Sequence, residues 1–289
     1  MNKLLLCSVK IHKMNKYMKT KQILQIDYAI NLTDKIKAST SESFIEEGIQ
    51  FILDFYELIN FNLSYTRPFL RARKTIDGKP FNSTSEIYYP PPEVTQAGRL
   101  NEPGVPFLYL STTIDTALIE IGAKTGDIIQ ISGYSYKKEP ARLGLIGEIF
   151  RATKGTTGFI DKENANHISE AISKMGQQDR KMAIAYLFLD LFLDEIFRNP
   201  EASQQGYLHS RILSRLLLEK NKSIDGFIYH SVANYGAFNI ALPYNKADKY
   251  LGLVNTILVR VIKSYPYGLY DVEIIKTPQK IDNKGNISW

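Results

Sequence analysis

The chain has 289 residues, of which 44% are hydrophobic and 23% charged, close to the averages of soluble globular proteins, so a disordered or fibrous chain is excluded. The formal net charge of +6 comes from scattered lysines and arginines, and without a compact basic block a nucleic-acid partner is not indicated. The longest apolar run, residues 182–197, contains Asp190 and Asp194 and is shorter than the roughly 20 residues that cross a bilayer. It therefore predicts a buried helix and no membrane span.

The N-terminal sequence MNKLLLCSVKIHK has an apolar core too short for the roughly 7–15 apolar residues of a secretory signal. We therefore expect a cytoplasmic protein. Cys7 is the single cysteine, which excludes an intramolecular disulfide and a metal site built from several thiolates.

Residues 1–60 are predicted to form an N-terminal helical extension, and residues 61–289 a second domain. Within the extension, Ser43 and Glu46 have the spacing of a capping box, and the apolar residues recur at helical spacing: Ile45, Ile49, Ile52, Tyr56 and Ile59. This apolar face must pack on something, which leaves homodimerisation or contact with an inhibitor protein open as its role.

The second predicted domain starts with a strand-like segment, FLRARK, and continues through about 30 residues rich in turn formers. A structureless stretch of that length is uncommon in a compact domain and is usually functional, so we expect it to line a site. A buried strand, FLYLS, is predicted next. It is followed by a helix that begins near Thr112 or Thr113, with Asp115 in its first turn.

The rest of the chain contains a helical block between groups of strands. Strands are predicted for DIIQISGYSY and LGLIGEIF, helices for the segments from ISEAISKM to YLHSRILSRLLLEK, and strands again for GFIYHS, FNIALP, VNTILVRVI and YDVEIIK. Because the strands precede and follow the helices without regular βαβ alternation, the fold class is predicted to be α+β.

Several common catalytic motifs do not occur. The sequence has no HExxH, no CxxC pair, no GxxxxGK(S/T) and no GxGxxG, so zinc, P-loop and dinucleotide-fold interpretations lack support and no metal site is predicted. Structural or surface roles are expected for all four histidines, which are His12 near the N-terminus and the isolated His167, His209 and His230. His230 and Ser231 would point to opposite faces of a strand, which argues against a nucleophilic pair.

Four blocks of sequence, in their order and spacing, resemble the RES-domain family. The first block, LRAR, is similar to a family segment YRAR, and the second, PPPEVTQAGRLNEPGVPFLYLS, to a proline run followed by GRxNPxGxPxLYLA. The third, TALIE, is similar to TAxxE. The fourth, DGFIYHS with a later asparagine, is similar to DGIxYxSS with a later asparagine. The similarity covers roughly residues 66–245. Departures such as Leu70, Leu100 and Pro243 leave the arginine, tyrosine, glutamate and serine positions intact.

The resemblance implies an ADP-ribosyltransferase-like core of mixed or antiparallel sheets with flanking helices. It implies an NAD⁺ phosphorylase or NAD⁺ glycohydrolase that depletes NAD⁺ as a toxin or defence effector. NAD⁺ would be the substrate, inorganic phosphate an optional co-substrate, and a cognate antitoxin the partner; no further cofactor is expected. The family's three naming residues fall on Arg99, Glu120 and Ser231, and a tyrosine near nicotinamide falls on Tyr109.

These residue types suit the implied reaction. Cleavage at the nicotinamide ribose forms an oxocarbenium-like sugar, which a carboxylate stabilises, and the planar fork of an arginine suits phosphate oxygens. Catalytic roles are therefore expected for Arg99, Tyr109 and Glu120. Substrate binding is expected for Arg71, Asn101, Ser231 and Asn239.

Other interpretations of the same residues stay open. Arg99 and Glu120 could form an ordinary salt bridge between the turn and the helix, and Tyr109 could be a core residue. Two competing functions also remain: a mono-ADP-ribosyltransferase that modifies a macromolecule, and a non-catalytic NAD⁺-binding module.

Overall fold

A computed structural model describes residues 25–234 and 236–289 of the chain. The predictions for the N-terminus, including those for Cys7, His12 and a secretory signal, lie outside these residues. Within the described part, none of the helices combines the length and the apolar character that a membrane span needs.

The described residues contain both helices and strands, and the class is α+β, as predicted. The helices are α1 (Ile26–Ala38), α2 (Glu42–Leu53), α3 (Thr84–Ile87), α4 (Ile114–Glu120), α5 (Glu148–Thr153), α6 (Lys162–Gln178), α7 (Arg180–Arg198), α8 (Leu208–Lys220) and α9 (Tyr244–Tyr250). The strands are β1 (Ile59–Asn62), β2 (Phe69–Lys74), β3 (Phe107–Ser111), β4 (Ile128–Tyr136), β5 (Arg142–Leu145), β6 (Gly226–His230), β7 (Phe238–Pro243), β8 (Leu251–Tyr265), β9 (Leu269–Lys276), β10 (Lys280–Ile281) and β11 (Ile287–Ser288).

These elements form two compact units, each described here by itself. The first contains residues 25–62 and 142–224, and the second contains residues 63–141 and 225–289. The N-terminal helices therefore share a unit with the helical block from the middle of the chain. The predicted division into residues 1–60 and 61–289 is not tested by this grouping and stays a prediction.

The first unit is mainly helical, and its second helix begins earlier than predicted. The N-cap of α2 is Ser41, whose side chain accepts a hydrogen bond from the backbone N–H of Phe44, so the predicted capping box of Ser43 and Glu46 is wrong. Glu46 instead pairs with Arg215 at 2.8 Å between Oε2 and Nη2. The apolar spacing is confirmed for Ile45, Ile49 and Ile52, which are fully buried, but Ile59 already belongs to β1.

The predicted strand LGLIGEIF is only partly a strand, because a glycine turns the chain into a helix. β5 ends at Leu145, and Gly147 has a φ of 83° immediately before α5. A side chain there would also place its Cβ 2.6 Å from Cγ of Asp194. Glycine is therefore required at this position on both grounds.

The second unit contains an antiparallel sheet with the strand order β6-β7-β3-β2-β4-β8-β9. β2 and β3 are joined through one register pair, Leu70 with Ser111. α4 packs on this sheet through a buried cluster that includes Ala72, Ala117, Leu118, Ile129 and Val259. The core thus fixes the helix that ends at Glu120.

The turn-rich segment between β2 and β3 was predicted to be structureless, but it is partly ordered by short elements. α3 has a complete capping box from Ser83 and Glu86, and a 3₁₀ turn covers Pro92–Val94. The buried hydroxyl of Tyr134 donates to the carbonyl of Ile87 at 2.8 Å. These contacts hold the segment that leads to Arg99.

Candidate active site

A tight turn around Arg99 is held by the hydroxyl of Tyr109. Gly98 and Asn101 exchange backbone hydrogen bonds of 3.1 and 3.4 Å. Tyr109 Oη donates to Oδ1 of Asn101 at 2.8 Å and accepts from the backbone N–H of Leu100 at 2.9 Å. A Cβ at Gly98 would collide with the Asn101 side chain, so this glycine lets the turn close. The tyrosine on β3 therefore fixes the position of the loop that carries the arginine.

Asn101 is buried, and the turn occupies its side-chain amide. Its Nδ2 donates to the carbonyls of Gln96 and Glu102 at 2.9 and 3.0 Å, while Oδ1 accepts from Tyr109. An amide nitrogen has two hydrogens to donate, and both are used within the loop. The structure thus places Asn101 as a support of the turn, and its predicted role in binding substrate stays a prediction.

Glu120 is the last residue of α4, and neutral donors hold its carboxylate. Its Oε1 accepts from Oγ of Ser231 and from Nδ2 of Asn239, each at 2.6 Å. These two contacts bring together three of the predicted site residues that are far apart in sequence. Ser231 is 111 positions and Asn239 is 119 positions from Glu120. The side chain of Glu120 is exposed, and its Oε2 accepts no hydrogen bond from a residue that the structure describes.

The salt-bridge interpretation of Arg99 and Glu120 is not found in the structure. Among residues 25–234 and 236–289, Glu120 forms no ion pair within 4.0 Å, and its hydrogen-bond partners are Ser231 and Asn239. The carboxylate is thus oriented without being neutralised. Such an arrangement leaves its charge available to a ligand.

Ser231 is positioned by the loop that follows β6. Its backbone N–H donates to the carbonyl of Ala237 at 2.9 Å, and its Oγ accepts from the backbone N–H of Asn234 at 3.0 Å. The side chain of Asn234 donates in turn to Oγ1 of Thr116 on α4 at 2.9 Å. The loop and the helix are therefore tied together beside Glu120.

A row of cross-strand neighbours lies beside the carboxylate. Ser111 on β3 pairs in register with Asn239 on β7, which pairs with Tyr229 on β6. Directly opposite residues of antiparallel strands lie on the same face of a sheet. Ser111 donates to Oδ1 of Asn239 at 2.7 Å, so the row is joined by hydrogen bonds as well as by register.

The buried hydroxyl of Tyr229 is influenced by several of the predicted site residues. Burial raises the pKa of its hydroxyl well above the ordinary value, and neighbouring Glu120 and Tyr109 raise it further. Arg99 and a hydrogen bond from Asn239 oppose this shift of the pKa. Arg99, Tyr109, Glu120 and Asn239 therefore all act electrostatically on one buried hydroxyl, which stays protonated near neutral pH.

Arg71 lies apart from this hydrogen-bonded cluster. Its Nη1 donates to the backbone carbonyl of Tyr109 at 3.4 Å, and among the described residues its Nε is buried without a partner. Burial lowers the pKa of its guanidinium, and no carboxylate of the described residues pairs with it. Arg71 is thus a partly buried cation without a protein counter-ion, connected to the rest of the candidate site through the main chain of β3.

The sequence did not single out Ser111, Tyr229, Asn234 or Thr116. Strand alternation held a usable signal, because Ser111 lies two residues after Tyr109 and Tyr229 two residues before Ser231. No three or more His, Cys, Asp or Glu side chains of the described residues are grouped so that they could hold a metal ion.

The comparisons with known proteins give one match. The model of a family described as the RES domain matches residues 70–257, a range that contains all seven predicted site residues. A comparison with curated proteins and one with solved structures found no match.

Proposed function

The chain belongs to the RES-domain family, and we propose that it cleaves NAD⁺ at the bond between nicotinamide and ribose. RES domains are in general linked to NAD⁺-related toxin activity. The observation that carries the proposal is the carboxylate of Glu120. It is exposed, held by two neutral donors on one oxygen and paired with no cation of the described residues.

The reaction needs negative charge beside the ribose. When the bond from C1″ of the ribose to the pyridine nitrogen breaks, its electron pair stays on that nitrogen, and nicotinamide leaves neutral without being protonated. The positive charge moves to the sugar, which becomes oxocarbenium-like. Glu120 stabilises this charge, and its Oε2 accepts a hydrogen bond from a ribose hydroxyl. Because Ser231 and Asn239 fix the other oxygen, the carboxylate does not reorganise as the charge develops.

The substrate also carries a pyrophosphate, and arginines provide its counter-charges. Arg71 has a partly buried guanidinium without a protein carboxylate, and a bound phosphate would compensate the cost of burying that charge. Arg99 lies in a turn that Tyr109 and Asn101 hold in place, so its planar fork is directed by the loop. The net charge of +6 favours the approach of an anionic substrate.

Tyr109 has separate uses for its two ends in this proposal. Its hydroxyl is committed to the arginine turn, so the half-buried ring is the part that offers a flat face to nicotinamide. Ser231 and Asn239 contribute by orienting Glu120. The sequence predicted that both residues bind the substrate directly, whereas in this proposal both act through Glu120. Because the Ser231 hydroxyl lies 2.6 Å from Glu120 Oε1, it can also contact a ribose bound at that carboxylate.

The acceptor in the proposal is inorganic phosphate or water. Attack by a phosphate oxygen at C1″ gives nicotinamide and ADP-ribose-1″-phosphate, and attack by water gives nicotinamide, ADP-ribose and a proton. Either reaction depletes NAD⁺, which fits a toxin or defence effector that a cognate antitoxin protein neutralises.

One assay tests the proposal. Purified protein is incubated with NAD⁺ with and without inorganic phosphate, and nicotinamide, ADP-ribose and ADP-ribose-1″-phosphate are measured. We expect nicotinamide release, with the second product identifying the acceptor. Absence of nicotinamide under both conditions, together with NAD⁺ binding, would instead identify a non-catalytic binding module.

The same assay separates the competing transferase. With radiolabelled NAD⁺ and a cell extract as the source of acceptors, a mono-ADP-ribosyltransferase transfers label to a macromolecule. We expect the label to remain in small products.

A further inference from the structure

Ser111 at the end of β3 is a buried hydroxyl beside the proposed catalytic carboxylate. It is 5% exposed, and the side chain it contacts, Asn239, is 3% exposed. Its Oγ lies 2.7 Å from Oδ1 of Asn239, and Nδ2 of Asn239 lies 2.6 Å from Oε1 of Glu120. Three side chains thus form a chain of two short hydrogen bonds that ends at Glu120.

The directions of these hydrogen bonds follow from the chemistry of the groups. An ionised carboxylate can only accept, so the amide must turn its Nδ2 toward Glu120. Its Oδ1 then faces Ser111 and can only accept, so the serine hydroxyl must be the donor. Removal of that hydroxyl leaves Oδ1 buried without this donor and removes the contact that favours this amide orientation.

We propose that Ser111 is a positioning residue that acts through Asn239 to hold the carboxylate of Glu120 in its reactive orientation. The inference rests on the proposed NAD⁺ cleavage, because the carboxylate is positioned for that reaction. Ser111 itself touches no substrate in this proposal. Its effect is on the rate of the chemical step and not on the affinity for NAD⁺.

The first test measures Ser111→Ala in the full chain with NAD⁺ as substrate. We expect kcat to fall about tenfold and KM to change by less than about twofold, as for the loss of one oriented hydrogen bond that acts in the transition state. Ser210→Ala is the matched control, since Ser210 is also a buried serine and its hydroxyl donates to the Tyr207 carbonyl in the first unit. An unchanged kcat in Ser111→Ala would overturn the proposal.

A double-mutant comparison separates positioning from a general structural role. If Ser111 acts only through Asn239, Ser111→Ala has no further effect on kcat in a chain that already carries Asn239→Ala. A structural role would instead lower kcat independently in both backgrounds, and multiplied effects would overturn the proposal.

A matched pair covers the case in which Ser111→Ala does not fold. Ser111→Thr keeps the hydroxyl, and Ser111→Val introduces a side chain of nearly the same shape as threonine but without a hydroxyl. Only Ser111→Thr is therefore expected to retain kcat. Equal kcat in the two variants would contradict the proposal.

Two further measurements distinguish failure of the positioning proposal from failure of the proposed function. Nicotinamide release by the wild-type protein tests the proposed function, and the side-chain amide signals of Asn239 in NMR spectra test the positioning without turnover. Those signals are expected to shift in Ser111→Val and not in Ser210→Ala.

Discussion

Two carboxylates of the molecule, Asp190 in the first unit and Glu120 in the second, are held by hydrogen bonds in opposite ways. Asp190 is 0% exposed and uses both oxygens, accepting from the Tyr56 hydroxyl at 2.7 Å and from the backbone N–H groups of Gly147 and Phe150 at 3.1 and 3.0 Å. Glu120 is exposed and accepts on one oxygen only from the described residues.

The two hydrogen-bonding patterns indicate different roles: Asp190 is a structural carboxylate, and Glu120 is one that a ligand can reach. A buried carboxylate whose oxygens are all occupied contributes by holding together the elements that donate to it. A carboxylate that is oriented on one side and open on the other keeps its free oxygen and its charge for a ligand. The two arginines Arg215 and Arg71 repeat the contrast, since Arg215 binds both oxygens of Glu46 and Arg71 has no carboxylate partner in the described chain.

The largest effect is expected from Glu120→Gln. The glutamine can still accept from Ser231 and Asn239 but carries no charge, so nicotinamide release should fall about 10²–10³-fold, as for loss of a preorganised group worth roughly 3–4 kcal/mol. The free energy of unfolding should stay within about 0.5 kcal/mol, because Glu120 is exposed and the glutamine keeps an acceptor for Ser231 and Asn239. Glu93→Gln is a control, as an exposed acid in the 3₁₀ turn of the same unit. Unchanged turnover in Glu120→Gln would leave the carboxylate without a catalytic role.

Arg71→Met should separate function from stability. Loss of the cation should raise KM for NAD⁺ about 100-fold, equivalent to about 2.7 kcal/mol. The free energy of unfolding should not fall, because an apolar side chain of similar length replaces a partly buried charge without a counter-ion.

Arg215→Met is the paired measurement for Arg71→Met. It removes a two-bond ion pair with Glu46 and should cost about 0.5–1 kcal/mol of stability without changing KM. A loss of stability in Arg71→Met larger than that in Arg215→Met would show that Arg71 is a structural residue, and the contrast between the two arginines would fail.

Tyr56→Phe tests the structural acid. The variant removes the buried donor to Asp190 and should lower the free energy of unfolding by about 2 kcal/mol, as for a hydrogen bond to a charged group. Tyr186→Phe is the matched control, since Tyr186 stacks on Tyr56 but its hydroxyl makes two long hydrogen bonds of 3.4 Å, donating to the Glu57 carbonyl and accepting from the Glu57 backbone N–H. Chemical denaturation measures both variants. Equal losses would show that Asp190 gains nothing from the Tyr56 hydroxyl.

Sequence patterns predicted the elements of the site better than its contacts. Strands β2 and β3 follow from local composition, and the helix start predicted near Thr112 or Thr113 is confirmed by the N-cap Thr113. The hydrogen bonds from Ser231 and Asn239 depend on the register of β7 against β3, which no local pattern specifies. Asn101 shows the same limit, because its engagement with Tyr109 depends on how the loop closes over β3.

The helix boundaries show where local rules fail for physical reasons. Ser43 and Glu46 satisfy the spacing of a capping box, yet Ser41 caps the helix and the Glu46 carboxylate pairs with Arg215 of α8. The strand predicted through residue 150 ends early because Gly147 adopts a left-handed conformation beside Asp194. At both boundaries the side chain of a residue distant in sequence makes a close contact that local patterns do not specify.

The pH dependence of stability is expected to show the smallest effect, because opposing causes act on Asp190. Burial raises the pKa of its carboxyl, and hydrogen bonds from Phe150, Tyr56 and Gly147 oppose the shift. The folded protein therefore holds the Asp190 proton more tightly than the unfolded chain, whose value is about 3.9. The resulting stabilisation is full below that value and is lost as the pH rises through the raised pKa of the folded state.

Asp190→Asn removes the titration of this carboxyl, so comparison with the wild-type protein shows whether Asp190 raises or lowers the free energy of unfolding as the pH rises. Wild-type protein should lose stability relative to Asp190→Asn as the pH rises from about 4 to 7, which urea unfolding at several pH values measures. A relative gain of wild-type stability over the same range would mean that the three hydrogen bonds outweigh burial. Asp190 would then be stabilised as an anion in the folded state, and its contrast with Glu120 would lie in the hydrogen bonds that occupy both of its oxygens.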